Sequence, residues 1–153
     1  VEGALNEAPR PVVCAVQGAA LGCGCAMATA CDVTIAADNA TFKLPEMTHN
    51  LPPTLAISAL MPKVPRKAIA YMVYAMPQID AATALQIGIV SAVVPLARLD
   101  AAMAETLATM TSRSQAALVA VKDYLRSAPA MEARGAAAYG AALLSGVLTS
   151  AGH

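Results

Sequence analysis

Apolar positions fall along the chain in short blocks cut by proline and glycine. Residues 1–10 are polar and irregular, with Pro9 and Pro11 bracketing Arg10, and read as a tail or linker. Val12-Val13-Cys14-Ala15-Val16 is an apolar, largely β-branched run of strand type. A small-residue loop spans Gly18 to Gly24, and a short helical stretch runs from Cys25 to Cys31. A second strand-type run, Val33-Thr34-Ile35, leads through a turn at Asp38-Asn39 to Thr41-Phe42 and then Pro45-Glu46. Strand, loop, helix and strand in this order predict that Val12–Val16 and Val33–Ile35 are parallel neighbours joined by a right-handed crossover.

The remaining pattern is helical. Pro53 suits the first turn of a helix continued by Thr54 to Leu60. Ile69, Met72 and Val73 share one face of a helix from Pro65 to about Ala75, which Pro77 stops. Asp80 has the character of an N-cap for a helix from Ala81 to Gln86 that ends before Gly88. Ile89 to Val94 reads as a short strand closed by Pro95. Leu96, Leu99, Met103, Leu107 and Met110 recur at helical spacing, predicting an amphipathic helix over 96–111. Ala117, Val121, Tyr124, Leu125 and Ala128 form the next stripe, with Lys122 and Arg126 on the wet side. The last helix, from Ser127-Pro129 to about Thr149, is apolar nearly all round, a pattern that predicts burial on several sides.

Composition narrows the class. The 153 residues suffice for one domain with one core. Zero formal net charge and 3% aromatics leave neither a basic footprint nor stacking platforms for nucleic acid. No apolar run reaches the ~18 residues of a membrane span. The 58% hydrophobic content is largely alanine, which favours close helix packing or faces buried against another subunit. Cys14, Cys23, Cys25 and Cys31 lack a second Cys or His pair for tetrahedral zinc, and their C-x-C spacing is not that of a redox pair. They read as reduced, buried small hydrophobes of a cytoplasmic protein.

The candidate chemistry lies between Gly18 and Glu46. A glycine-rich loop opening a helix presents backbone N–H groups at the positive end of the helix dipole, where an anion or a developing oxyanion is stabilised. This loop is no Walker loop, since no Lys-Ser/Thr follows, and it lacks the third glycine of a dinucleotide fingerprint. Glu46, the carboxylate that follows, is by residue type alone a solvated loop residue. His49 nearby is given no role. Lys63, Arg66 and Lys67 are within reach of a phosphate on paper, but a short basic cluster at a helix start is ordinarily a solvated face.

Arg10-Pro11-Val12-Val13, Gly18, Ala20-Leu21-Gly22, Gly24, Cys31-Asp32, Phe42 and Pro45-Glu46 together resemble the enoyl-CoA hydratase/isomerase (crotonase) family without a gap. Asp80-Ala81 and Gly88 to Pro95 match a second family segment. The resemblance implies an α/β fold, a crotonase-like ββα spiral followed by C-terminal helices. It divides the chain into a partial spiral core, 1–95, and a helical region for oligomerisation, 96–153. It starts partway into the family pattern, so the N-terminal part of the spiral, with the first oxyanion donor, is expected to belong to a longer protein. The implied partner is an acyl-CoA thioester, with coenzyme A as part of the substrate and no separate cofactor or metal. The implied assembly is a homotrimer or hexamer.

By the same resemblance, the backbone N–H of Cys23 is the second oxyanion donor, and Gly22 and Gly24 are the loop residues that support it. The family's second glutamate position is Glu46, while its first falls on Ala26. Hydration is a two-carboxylate task, whereas family isomerases move a double bond with one. This chain is therefore expected to be isomerase-like, with Glu46 shuttling the proton. Leu51 to Ala56 replace a glycine-rich stretch of the family pattern and alter the wall around the reacting carbons. The competing reading is a catalytically inactive crotonase-fold paralogue, or a truncated product, serving as a binding or structural subunit.

Overall fold

The computed structural model describes residues 2–150. In chain order the elements are α1 (Glu2–Glu7), β1 (Val13–Val16), β2 (Ala19–Leu21), α2 (Cys23–Ala30), β3 (Val33–Ala37) and β4 (Thr41–Lys43). A 3-10 turn, Glu46–His49, precedes α3 (Thr54–Leu60) and α4 (Arg66–Tyr74). Then come β5 (Ile79–Asp80), α5 (Ala81–Gln86), β6 (Ala92–Val94), α6 (Leu99–Thr111), α7 (Gln115–Ser127) and α8 (Ala133–Ser150).

Two small sheets carry the spiral. The first has the order β1-β3-β6 and is parallel throughout, with Val13 opposite Val33 and Ile35 opposite Ala92. The second has the order β2-β4-β5, in which β2 and β4 are parallel and β5 is antiparallel to β4. The predicted parallel pairing of β1 with β3 is therefore present. Between the two strands the chain passes first through β2, which the sequence reads as loop, and then through α2. Three residues, two of them alanine, sufficed for a strand because its ladder is made by the backbone, Ala20 pairing with the buried Phe42.

The core is built from Phe42, Leu44, Leu60 and Met72, with Cys25, Ala26 and Ala28 of α2 packed on Ala56 and Ala59 of α3. Alanine at these contacts lets the two helices approach closely. Asp80 caps α5 as expected, its carboxylate accepting the Thr83 N–H at 2.8 Å.

Four expectations are corrected. Residues 2–7 form a helical turn rather than an irregular tail. Ile89 and Val90 do not join the strand: their N–H groups donate to Ala84 O and their side chains enter the core, so β6 begins only at Ala92. Lys122 is not on the wet face of α7. It is 5% exposed, while Val121 and Leu125 of the presumed inner stripe are 58% and 66% exposed. Polar partners decide this: the Lys122 ammonium donates to Leu5 O, Arg10 O and the Asp32 carboxylate, at 2.9, 3.0 and 2.9 Å. Finally, α8 has no buried residue in this chain. It lies on α7, where Gly140 admits the Tyr124 ring and Tyr139 stacks on Tyr124 at 6.3 Å, leaving Leu144 and Leu148 exposed. Among the described residues no helix is long and apolar enough to cross a membrane.

Candidate active site

The parallel register of β2 and β4 sets Leu21 opposite Lys43, so the residues just beyond both C-terminal strand ends emerge side by side. That end of a parallel sheet is where α/β proteins place ligands. On one chain end stands Gly22, whose N–H donates to Lys43 O at 2.9 Å. On the other stands the 3-10 turn that begins with Glu46. Thr48 fastens this turn by donating from both N–H and Oγ1 to Pro45 O, at 3.0 and 2.6 Å.

Gly22 and Glu46 are in contact range. Gly22 has φ 51°, and a Cβ built there would lie 2.7 Å from Glu46 Oε1. Only glycine both accepts that backbone conformation and leaves room for the carboxylate. The second carboxylate oxygen, Oε2, is buried and has no hydrogen-bond partner among the described residues. A buried carboxylate oxygen without a donor carries a desolvation cost, and its acceptor capacity is unused within the chain.

Gly22 also begins α2. Its carbonyl accepts the Ala26 N–H at 3.0 Å, which makes Cys23 the first helical residue. The first N–H groups of a helix have no intrahelical acceptor, so that of Cys23 lies at the positive pole beside Gly22 and Glu46. The Cys23 side chain is exposed and Cys25 is buried. Burial first, and the nearby Glu46 carboxylate second, push the Cys25 thiol up to about 12, whereas its contact with Thr29 acts the other way. Burial, with Cys14 beside it, likewise pushes Cys31 up to about 11. These two are inert packing thiols. The expectation of buried cysteines fails at Cys23. Ala26 is 3% exposed and sits in the core, so it brings only a methyl to this part of α2.

The other end of α2 shows what sequence reasoning missed. Lys63 is an exposed residue like Arg66 and Lys67, but its ammonium turns back onto α2. Its Nζ donates to the carbonyls of Thr29, Ala30 and Cys31 at 2.7, 3.0 and 2.7 Å. Desolvation there draws its pKa below the ordinary 10.5, with the nearby Asp32 pulling the other way. Thr34 Oγ1 donates to Ala28 O at 2.6 Å, and the Cys31 N–H to Met27 O at 3.2 Å. Asp32, directly after, accepts the Val12 N–H at 2.7 Å as well as the Lys122 ammonium. The only sequence signal was a cation following α3, and nothing local tied it to a helix more than thirty residues earlier.

No cluster of His, Cys, Asp or Glu among the described residues is built to hold a metal ion. An apolar groove of about 310 Å³ between α7 and α8, lined by Val121, Leu125, Leu143 and Leu144 among others, includes neither Gly22, Cys23 nor Glu46.

The family model of enoyl-CoA hydratase/isomerase matches residues 3–149. The chain belongs to this family. A 2,3-dehydroadipyl-CoA hydratase of Escherichia coli is 40% identical over 119 residues, 76% of this chain and 46% of that relative. The structure of human enoyl-CoA hydratase domain-containing protein 3 aligns with TM-score 0.93 and 26% identity, over 97% of this chain and 58% of that one. A Thermobifida fusca enoyl-CoA hydratase homologue, solved in complex with acetoacetyl-CoA, aligns with TM-score 0.90 and 28% identity, over 95% and 58%. The crotonase α/β fold expected from the residues is thus the fold observed. The family member described here spans about half the length of the curated relatives it matches.

Proposed function

We propose that the full-length protein is an acyl-CoA enzyme that moves a double bond, converting a 3-enoyl-CoA to the 2-enoyl isomer with Glu46 as the single proton shuttle. The observation that carries this reading is Glu46 at the positive end of α2, its Oε1 facing Gly22 and its Oε2 buried and unpartnered, with Ala26 in place of a second carboxylate. In the forward step Glu46 takes a proton from C2. The electron pair moves into the thioester, and the backbone N–H of Cys23 stabilises the oxygen that becomes negative. The same proton returns at C4, the double bond settles between C2 and C3, and Glu46 is again a carboxylate. No water is consumed, so no second base is required. Gly22 and Gly24 give the loop the room this approach needs. In this reading 1–95 is the catalytic part and 96–153 the region that assembles a homotrimer or hexamer. The four free thiols suit the cytoplasm.

A second reading, an inactive subunit of the same fold, draws on Ala26 and on the exposed apolar residues of α8. One assay separates them. Wild type should isomerise a 3-enoyl-CoA and hydrate a 2-enoyl-CoA poorly. Glu46→Gln should lose ~10²–10⁴ in isomerisation while KM barely moves, because glutamine keeps the shape but accepts no proton. Strong hydration by wild type, or full activity in Glu46→Gln, overturns the assignment. No turnover of either substrate favours the inactive subunit.

A further inference from the structure

The geometry points to Lys63 as a positioning residue for the enolate: its ammonium, seated on the last carbonyls of α2, raises the positive potential at the opposite end of that helix. This rests on the reading of the α2 N-terminus as the oxyanion site. Lys63 contributes a full charge to the Thr29, Ala30 and Cys31 carbonyls, through hydrogen bonds of 2.7, 3.0 and 2.7 Å. Those carbonyls are the negative pole of the helix dipole. A helix of eight residues is only ~12 Å long. The negative pole therefore lies close enough to weaken the field at Cys23, and an ammonium placed on it removes that opposition. The path between the two ends runs through the buried side chains of Cys25, Ala26, Ala28 and Thr29, so solvent screens the charge at the exposed Lys63 end and little along the helix. Lys63 touches neither Glu46 nor Cys23, so it acts through α2.

The test uses acetoacetyl-CoA, whose C2 proton is lost to buffer to give an enolate with its own near-ultraviolet absorbance. The bound enolate is titrated spectrophotometrically on full-length wild type, Lys63→Gln, Lys63→Arg and Thr34→Val. Lys63→Gln keeps amide donors for the carbonyls but no charge. It should bind about tenfold less enolate at a given pH, an upward shift of about one pKa unit, while affinity for the keto form stays within about threefold. Lys63→Arg should stay within about threefold of wild type. Thr34→Val removes an uncharged donor from the same helix end and should lower the melting temperature with little effect on the enolate. A wild-type enolate titration in Lys63→Gln, or an equal shift in Thr34→Val, overturns the proposal. Should Lys63→Gln not fold, the arginine variant still decides, since a folded Lys63→Arg protein that loses tenfold overturns it too. If wild type does not bind acetoacetyl-CoA, the oxyanion reading fails and this one with it. If wild type binds the enolate and Lys63→Gln binds it equally, only the role of Lys63 falls.

Discussion

The two ends of α2 are built on opposite plans. At the C-terminal end Met27, Ala28, Thr29 and Ala30 carbonyls all have donors: the Cys31 N–H, the Thr34 hydroxyl and the Lys63 ammonium. Directly beyond it, Asp32 is tied to Val12 and Lys122. At the N-terminal end the cap residue is Gly22, with no side chain to satisfy the first N–H groups, and the nearest carboxylate holds one oxygen without a donor. Helix ends in folded proteins are normally satisfied at both poles. Leaving one pole open costs stability there, and the saturated pole fixes the helix so that the open one points in a defined direction. On the proposed reading, the contrast separates what holds the site from what would perform the chemistry.

The largest expected effect falls on the closed end. Lys122→Met should cost about 3 kcal/mol in denaturant-induced unfolding, since it leaves the Asp32 carboxylate with the Val12 N–H but no cation, and the Leu5 and Arg10 carbonyls without the ammonium. The value lies at the lower edge for a broken buried pair because the Asp32 side chain keeps 29% exposure. At the open end, Gly22→Ala should act on turnover more than on folding. A Cβ 2.7 Å from Glu46 Oε1 must displace the carboxylate, and a misplacement of ~1 Å costs on the order of 10²-fold in kcat. A variant that keeps wild-type kcat would show that Glu46 and Gly22 do not work as a unit. Thr34→Val is smaller, about 1 kcal/mol of stability by thermal melting, the cost of leaving the Ala28 carbonyl without its hydroxyl donor. Smallest is a difference in labelling: iodoacetamide should modify exposed Cys23 first and Cys25 last, read by peptide mass spectrometry. Early loss of Cys25 would mean that the helix start opens in solution.

Local chemistry was legible where neighbours in sequence decide the outcome. Asp80 and Gly88 bracket α5, Pro53 and Pro65 stand before α3 and α4, and the strand-type runs expected at Val12–Val16 and Val33–Ile35 pair in parallel as β1 and β3. The residues Gly22, Cys23 and Glu46 were marked as one site from their motif, and the register of β2 with β4 puts Gly22 against Glu46. What escaped were contacts between distant positions. Periodicity put Lys122 outside because a lysine among Val121, Leu125 and Tyr124 reads as the wet face. Its acceptors lie 117, 112 and 90 residues away and leave no trace near residue 122. Lys63 escaped for the same reason. The burial predicted for α8 rested on its composition, and composition does not say which surface covers an apolar helix.

The Lys122 clamp also sets an order of events during synthesis. Asp32 and its ammonium partner are separated by 90 residues. At the ribosome's ~5–20 residues per second, roughly 5–20 s pass between the emergence of one and the other. Through that interval α2 and β1 have left the tunnel with the Asp32 charge unpaired and α1 unanchored. The spiral core must hold itself together by the apolar contacts of Phe42, Leu44, Leu60 and Met72 alone. The last third of the chain then acts as a latch that closes on an already collapsed body. Premature termination between residues 90 and 122 would release a nascent chain that holds its core residues and lacks its anchor.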